Sequence, residues 1–300
     1  MASIICGSLA FDNIMRFEGR FAEAILPEQL HKLSVSFYVP HLKREFGGCA
    51  GNIAYSLHLL GGTALPMATV GHDGADYLAR FKAQGISTEF VTTVPEAVTA
   101  MAMIMTDNDN NQITAFHPGA MAEAHRNKIF ARNDILLGIV SPDGRQAMME
   151  HAEALKTAHI PFVFDPGQGL PMFNGAELKH FIELASWVTV NDYEAEMLSQ
   201  RTGWSHAEIA SRVKGYAITL GEKGAQVWEN ESSTVVAPVQ AATVIDPTGC
   251  GDAWRGALLF GLEQGWSMAR CALLGNKVAS IKIAHLGGQN YSLPLAFNTR

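Results

Sequence analysis

Asp246-Pro247-Thr248-Gly249-Cys250-Gly251-Asp252, followed by the apolar run from Ala253 to Gly261, is the stretch on which the reading of this chain turns. The pattern predicts a helix that opens here, with Gly249, Cys250 and Gly251 presenting backbone N–H groups at its start. Unpaired amides and the helix dipole together favour a bound anion such as phosphate. A carboxylate in the same first turn would be repelled by that phosphate, which makes Asp252 odd in a plain anion site. It makes sense if Asp252 takes a proton from a hydroxyl while the amides hold the phosphoryl group moving onto it. That chemistry is phosphorylation of a small alcohol. An Asp favoured near any helix N-terminus, beside glycines that make a turn, accounts for the same seven letters, and the segment alone leaves both readings open.

Three earlier segments bear on the choice. Gly47-Gly48-Cys49-Ala50-Gly51-Asn52 opens a predicted helix; glycine allows close backbone approach to a ligand, and Asn52 offers a donor and an acceptor to a polyol. A turn with an Asn cap is the plain alternative. Asn191-Asp192-Tyr193-Glu194 ends a predicted strand and enters a helix. Acids at a helix start are common, whereas the functional reading has Asn191 and Glu194 organising Mg²⁺, partly through water. Thr219-Leu220-Gly221-Glu222-Lys223-Gly224 ends another strand, and its glycines and amides suit nucleotide phosphates. There is no G-x-x-x-x-G-K-[ST] loop, no G-x-G-x-x-G fingerprint and no H-R-D segment, so ATP would sit on another scaffold.

The remaining composition narrows the class. The chain has 300 residues, of which 48% are hydrophobic, enough for a sizeable core, and a formal net charge of −7. Acids and bases are spread along it without a basic tract, which disfavours nucleic acid as a partner. Cys6, Cys49, Cys250 and Cys271 show no C-x-x-C spacing, as expected of a reduced cytoplasmic protein without structural zinc. No H-E-x-x-H pattern occurs among the histidines. The N-terminal residues lack a basic, apolar leader pattern and no stretch is long and apolar enough to span a bilayer, so neither secretion nor membrane insertion is expected.

Strand and helix patterns alternate along most of the chain. Ser3–Gly7, Leu65–Val70, Ile135–Val140, Phe162–Asp165, Trp187–Asn191 and Tyr216–Leu220 read as buried strands, with helical segments between them. This is the pattern of a parallel sheet with crossover helices. Asp12, in the residues following the first strand, is placed where α/β folds hold ligands. Two regions have a different texture. Leu33, Val35, Phe37 and Val39 alternate with polar residues, and Met101, Met103 and Met105 alternate ahead of an Asp107–Asn111 turn. These predict a small β-sheet lid, from about 13–46 and 97–117, on one α/β domain spanning 1–300.

Taken in order, Gly-Gly-x-x-x-Asn, Asn-x-x-Glu, Thr-x-Gly-x-x-Gly and Asp-x-x-Gly-x-Gly-Asp resemble the PfkB, or ribokinase-like, kinase family over nearly the whole chain. The resemblance implies a Rossmann-like α/β core with a β lid, Mg²⁺ with ATP, and a hydroxyl acceptor. It implies Asp252 as base, Gly249, Cys250 and Gly251 as anion hole, and Asn191 and Glu194 at the Mg·phosphate site. Thr219, Gly221 and Gly224 would line the nucleotide site, with Asn276 approaching adenine. Monovalent-cation activation, by K⁺, is common in the family, and the regions of Asp246, Ser280 and Gly287-Gly288 would supply its oxygens.

Gly19-Arg20-Phe21, Leu26-Pro27-Glu28, Leu30-His31-Lys32, Ser34-Val35-Ser36-Phe37 and Phe116-His117-Pro118-Gly119-Ala120-Met121 look like the bacterial adenosine kinases. That likeness implies adenosine as acceptor and a homodimer formed through the lid. Ser8, Asp12, Ser36, Gly48 and Asn52 would then contact the ribose or its surroundings. Phe116 and Met121 would line the base pocket, Gln168 would approach the nucleoside, and Phe37 would reach a neighbouring chain's site. A kinase of another nucleoside, or of a sugar such as ribose, is the alternative. Three departures from sugar-kinase relatives stand out: Pro247 in place of Thr, Cys250 in place of Ala, and Trp254-Arg255 in place of a Phe-centred continuation. Pro166-Gly167-Gln168-Gly169 also lacks the Asn and Arg often found there, which favours a nucleoside over a phosphosugar.

Overall fold

In the computed structural model, which describes residues 2–294 and 297 apart from Asn110, Ala131 and Glu231, the strand Ala2–Cys6 (β1) is buried along its whole length. It is flanked by parallel neighbours on both sides, Thr63–Gly71 (β4) and Ile135–Val140 (β8). Helices cover both faces of such a strand, so its sequence is apolar throughout instead of alternating. Val91–Val94 (β5), Phe162–Phe164 (β9), Trp187–Asn191 (β10) and Gly215–Thr219 (β11) extend the parallel sheet. Ala225–Glu229 (β12) and Ser232–Val236 (β13) close one edge as an antiparallel pair. The nine strands lie in the order β13-β12-β11-β10-β9-β8-β1-β4-β5. The chain runs outward from β1 to β4 on one side and resumes with β8 on the other. The crevice at the carboxyl ends of β1 and β8 is therefore the switch point where α/β sheets hold ligands.

The helices are Phe21–Ala24 (α1), Cys49–Leu59 (α2), Ala75–Gln84 (α3), Arg145–Thr157 (α4), Gly175–Leu184 (α5), Asp192–Thr202 (α6), His206–Ala210 (α7), Cys250–Glu263 (α8) and Met268–Lys282 (α9). Two buried apolar layers separate them from the sheet. One gathers Ile53, Leu57, Leu258 and Val278 beneath α2, α8 and α9; the other gathers Leu155, Phe164, Phe181 and Leu198 beneath α4, α5 and α6. Gly256 sets the distance between α2 and α8. A Cβ there would lie 2.6 Å from Ser56 Cβ and 2.9 Å from the Ile53 carbonyl. Close packing of these two helices brings their N-terminal turns together. Among the described residues no helix is long and apolar enough to cross a membrane.

The lid is a separate four-stranded sheet, ordered β3-β2-β6-β7 from Ala10–Arg16 (β2), Leu42–Gly47 (β3), Ala100–Thr106 (β6) and Gln112–His117 (β7). The hairpin expected around Asp107 is present. The Asp107 carboxylate accepts from the backbone N–H of Asp109, Asn111 and Phe21, closing the turn and tying it to α1. Of the two expected β regions only the second, around Met101–Met105, lies in this sheet, where β6 pairs in parallel with β2.

The expected strand at Leu33–Val39 does not form. Pro27–Lys32 is a 3₁₀ turn and residues 33–39 have no ladder partner among the described residues. Alternation creates two faces, but a strand also needs a neighbour for its backbone groups. The chain instead pairs β2 with β3 on either side of this segment, which leaves Leu33, Val35 and Tyr38 exposed.

Candidate active site

Gly249 precedes α8 in the left-handed conformation, with φ 76°, which sets the turn into the helix, and the Cys250 N–H donates back to the Pro247 carbonyl at 3.1 Å. Asp252 follows in the first turn. Its Oδ2 accepts from Asn52 Nδ2 at 2.8 Å, across 200 residues of sequence. The glycine-rich segment at 47–52 and the 246–252 segment therefore meet side chain to side chain. Gly48 is the residue before α2, and Ser8 holds that helix start: its carbonyl accepts from Ala50 N and its Oγ from Cys49 N. Asp12 lies on the lid strand β2, not in a loop after β1, and stands against Gly47, whose Cβ position would be 2.4 Å from Asp12 Oδ2.

Two residues that the sequence reading missed complete this arrangement. Gln289 Nε2 donates to Asn52 Oδ1 at 3.1 Å and to Tyr77 Oη at 2.7 Å, fixing which way the Asn52 amide faces. Nothing in the sequence marks Gln289. Arg255, one turn beyond Asp252, is buried. Its Nε is 2.5 Å from Asp165 Oδ2, its Nη2 is 3.8 Å from Glu194 Oε2, and its Nη1 donates to the Gly251 carbonyl at 3.1 Å. It thereby tethers the anion loop to the ends of β9 and β10. Removing one member of such a buried pair costs about 3–5 kcal/mol. The signal available in the sequence is an Arg inside the otherwise apolar run after Asp252.

Burial pushes the Asp252 carboxyl up to about 6, against the Asn52 hydrogen bond and the Arg255 guanidinium, which pull it down. Burial, then Asp252, Asp246 and Glu45, push Asp12 up to about 6 as well. A general base acts ionised, so if Asp252 serves as one, kcat/KM should fall as pH drops through about 6. Asn52→Ala removes a bond that favours the ionised form and shifts that acid limb to higher pH. A pH–rate profile of the two proteins tests this; coincident acid limbs would exclude Asn52 as the group that tunes the base.

Asn191 and Glu194 form a capping box at the start of α6. Asn191 Oδ1 accepts from Glu194 N and Glu194 Oε2 accepts from Asn191 N, both at 2.8 Å. The structural alternative for this motif is thus realised. Glu194 is nevertheless turned toward Arg255, and burial first, then Asp165 and Asp252, raise its carboxyl above the usual range. Thr219, Gly221, Gly224, Cys250, Gly251 and Asn276 line one cleft of about 620 Å³ with mostly apolar walls. The Asn276 amide is engaged inside the protein, accepting from Trp254 Nε1 at 3.1 Å and donating to the Ala237 carbonyl at 2.8 Å, so it shapes the cleft floor. The anion loop therefore separates two groups of residues. Cys250 and Gly251 face the cleft, while Asp252 faces Asn52.

The expected base-pocket residues are less gathered. Ser36 and Gln168 are exposed, Phe116 is half exposed on the edge strand β7, and Met121 lies in the 3₁₀ turn Gly119–Arg126. No hydrogen bond among the described residues joins any of the four to Asp12 or Asn52. Phe37 packs edge-on against Phe17 and Phe21, at ring-centre distances of 5.0 and 5.2 Å, within its own lid.

The model of the pfkB family carbohydrate kinases matches residues 15–296. A solved nucleoside kinase of Burkholderia thailandensis, in complex with inosine, is 53% identical; the match covers 97% of this chain and 93% of that one, with a TM-score of 0.88. The nucleoside kinase of Methanocaldococcus jannaschii is 28% identical over 292 residues, covering 96% of this chain and 93% of that protein. Its crystal structure superposes with a TM-score of 0.88. The family model spans nearly the whole chain, and this chain belongs to the pfkB family of carbohydrate kinases, ATP-dependent phosphotransferases that act on a hydroxyl group.

Proposed function

We propose that the chain is a nucleoside kinase that transfers the γ-phosphate of ATP to the 5′-hydroxyl of adenosine, giving AMP and ADP. The observation that carries the reading is the Asn52–Asp252 hydrogen bond at the mouth of the anion loop. Asp12 and Asn52 orient the ribose hydroxyls. The 5′-oxygen attacks the γ-phosphorus and its proton passes to Asp252. The bond from the γ-phosphorus to the bridging oxygen breaks, and ADP leaves. Backbone amides of Gly249 and Gly251 hold the charge on the transferred group in place, beside the Cys250 N–H, which donates to the Pro247 carbonyl.

The family uses ATP with a divalent metal. Glu194 suits a hydrated Mg²⁺ that would arrive with the nucleotide, because burial and the charges of Asp165 and Asp252 act on its carboxyl against the pull of Arg255, and a nearby cation would relieve them. Its Oε2 is taken by the cap, so Oε1 is the atom that would meet the ion or its water. When bound, Mg²⁺ offsets negative charge on the β- and γ-phosphates.

The inosine complex of the Burkholderia thailandensis relative favours inosine as a second acceptor. Inosine differs from adenosine at purine C6, away from the 5′-hydroxyl, and the same centre serves both. ADP release measured with adenosine, inosine, a pyrimidine nucleoside and ribose tests the reading. Purine nucleosides should exceed ribose in kcat/KM by at least about tenfold. Ribose as the best acceptor would replace it with a sugar kinase.

Assembly belongs to the same proposal. Leu33, Tyr38, Met103 and Ile113 are exposed on or beside the lid, and β3 and β7 are open edges. Pairing of two lids covers this apolar surface and protects the edges. The expected state is a homodimer. Sedimentation that finds only monomer at micromolar protein would rule out a stable one.

A further inference from the structure

The last turn of α9 carries a lysine into the protein behind the anion loop. Lys282 is fully buried. Its Nζ donates to the Asp246 carbonyl at 2.7 Å and to the His285 carbonyl at 3.1 Å, and stands 3.9 Å from Asp246 Oδ2. The Asp246 carboxylate is itself occupied: Oδ1 accepts from Thr248 N at 2.8 Å and Oδ2 from Gly287 N at 2.7 Å. The amides of Ile245 and Asp246 both donate to the Ile283 carbonyl. These bonds clamp the segment that leads into Gly249–Gly251 onto residues 283–287.

The family resemblance places a monovalent cation here, with oxygens from the regions of Asp246, Ser280 and Gly287-Gly288. The residues of this chain do not fit one. The Asp246 carbonyl already receives an ammonium. Ser280 Oγ donates to the Lys277 carbonyl within its own helix. A K⁺ placed on these oxygens would face the Lys282 charge at contact distance. Two positive charges at one set of ligands repel each other, most strongly where water is scarce.

We infer that the Lys282 ammonium is a built-in cation that holds the anion loop in its working shape, and that phosphotransfer by this chain needs no K⁺. Burial draws the Lys282 amine below its usual range, while Cys250, Asp246 and Asp252 act in the opposite sense and favour the charged form. The inference rests on the phosphotransfer activity of the family and not on the choice of acceptor.

The test compares kcat and both KM values in tetramethylammonium chloride with those in KCl or NH₄Cl at equal ionic strength. The native protein should change by less than about twofold. Lys282→Gln should lose roughly tenfold or more in kcat in tetramethylammonium, with a smaller change in nucleoside KM, and recover part of it when K⁺ or NH₄⁺ is added. K⁺ stimulation of the native enzyme by more than about fivefold, or full activity of Lys282→Gln without K⁺ or NH₄⁺, overturns the inference. Thermal melting of the native protein gives an answer even if the variant does not fold. Equal Tm in the two salts supports a built-in cation, and a rise specific to K⁺ contradicts it. A native protein that phosphorylates none of the acceptors would defeat the kinase reading separately, and the melting comparison would still report on the cation.

Discussion

Asp252→Asn should lower kcat by about 10²–10⁴ with much smaller changes in KM. The replacement keeps the size of the side chain, and its amide oxygen can still accept from Asn52 Nδ2, the bond that spans 2.8 Å in the native protein. The anion loop, the Arg255 tether and the nucleotide cleft are untouched. What is lost is the carboxylate proposed to take the proton from the attacking hydroxyl. Binding of acceptor and of ATP, measured by calorimetry, should therefore survive while turnover does not. A variant that retains near-native kcat would remove Asp252 from the chemistry and leave it the role of a helix-start acid.

Phe116→Ala should raise the adenosine KM by about 5- to 150-fold, from base–aromatic stacking of about 1–3 kcal/mol. The ring stands at the end of β7, just before His117-Pro118-Gly119, and is 53% exposed. Among the described aromatic contacts it has no partner ring, unlike Phe37, so its face is open to a planar ligand. Because it is half exposed, its truncation removes little buried surface and should cost little stability. The ATP KM should stay nearly constant, since the cleft proposed for the nucleotide is lined by Thr219, Cys250 and Gly251 and not by the lid. Ribose, which has no π-face, should be indifferent to the change. Unaltered adenosine kinetics would show that the lid edge does not contact the base.

Much of the core was legible because parallel strands buried on both faces write themselves as short apolar runs. Ile135–Val140 and Trp187–Asn191 lie where those runs predicted. The lid was only half legible. Its hairpin carries a strong turn signal at Asp107–Asn111, whereas β3 is the charged stretch LKREFG at a sheet edge, and its pattern resembles a loop. Leu33–Val39 has the alternation of a strand but no neighbour to pair with.

At the site, Asn52 and Asp252 could be read from local motifs. Gln289 and Lys282 could not, and Arg255 only as a charge out of place in an apolar run, because each draws its meaning from a partner whose position only the fold supplies. Asn191 and Glu194 illustrate the converse. Their spacing signalled a helix cap and a metal-facing acid at once, and the cap uses one of the two Glu194 oxygens.

The hydrogen bond from Gln289 to Asn52, 237 residues earlier, has a consequence for the making of the protein. During synthesis the strands from β1 to β13 and the lid leave the ribosome before the segment around Gln289. Such a nascent chain can pair most of its sheet and present Asp252 at the start of α8. The Asn52 amide that addresses this carboxylate still lacks the contact that sets its direction. Order in the reacting centre thus arrives after order in the scaffold, a sequence of events dictated by long-range closure.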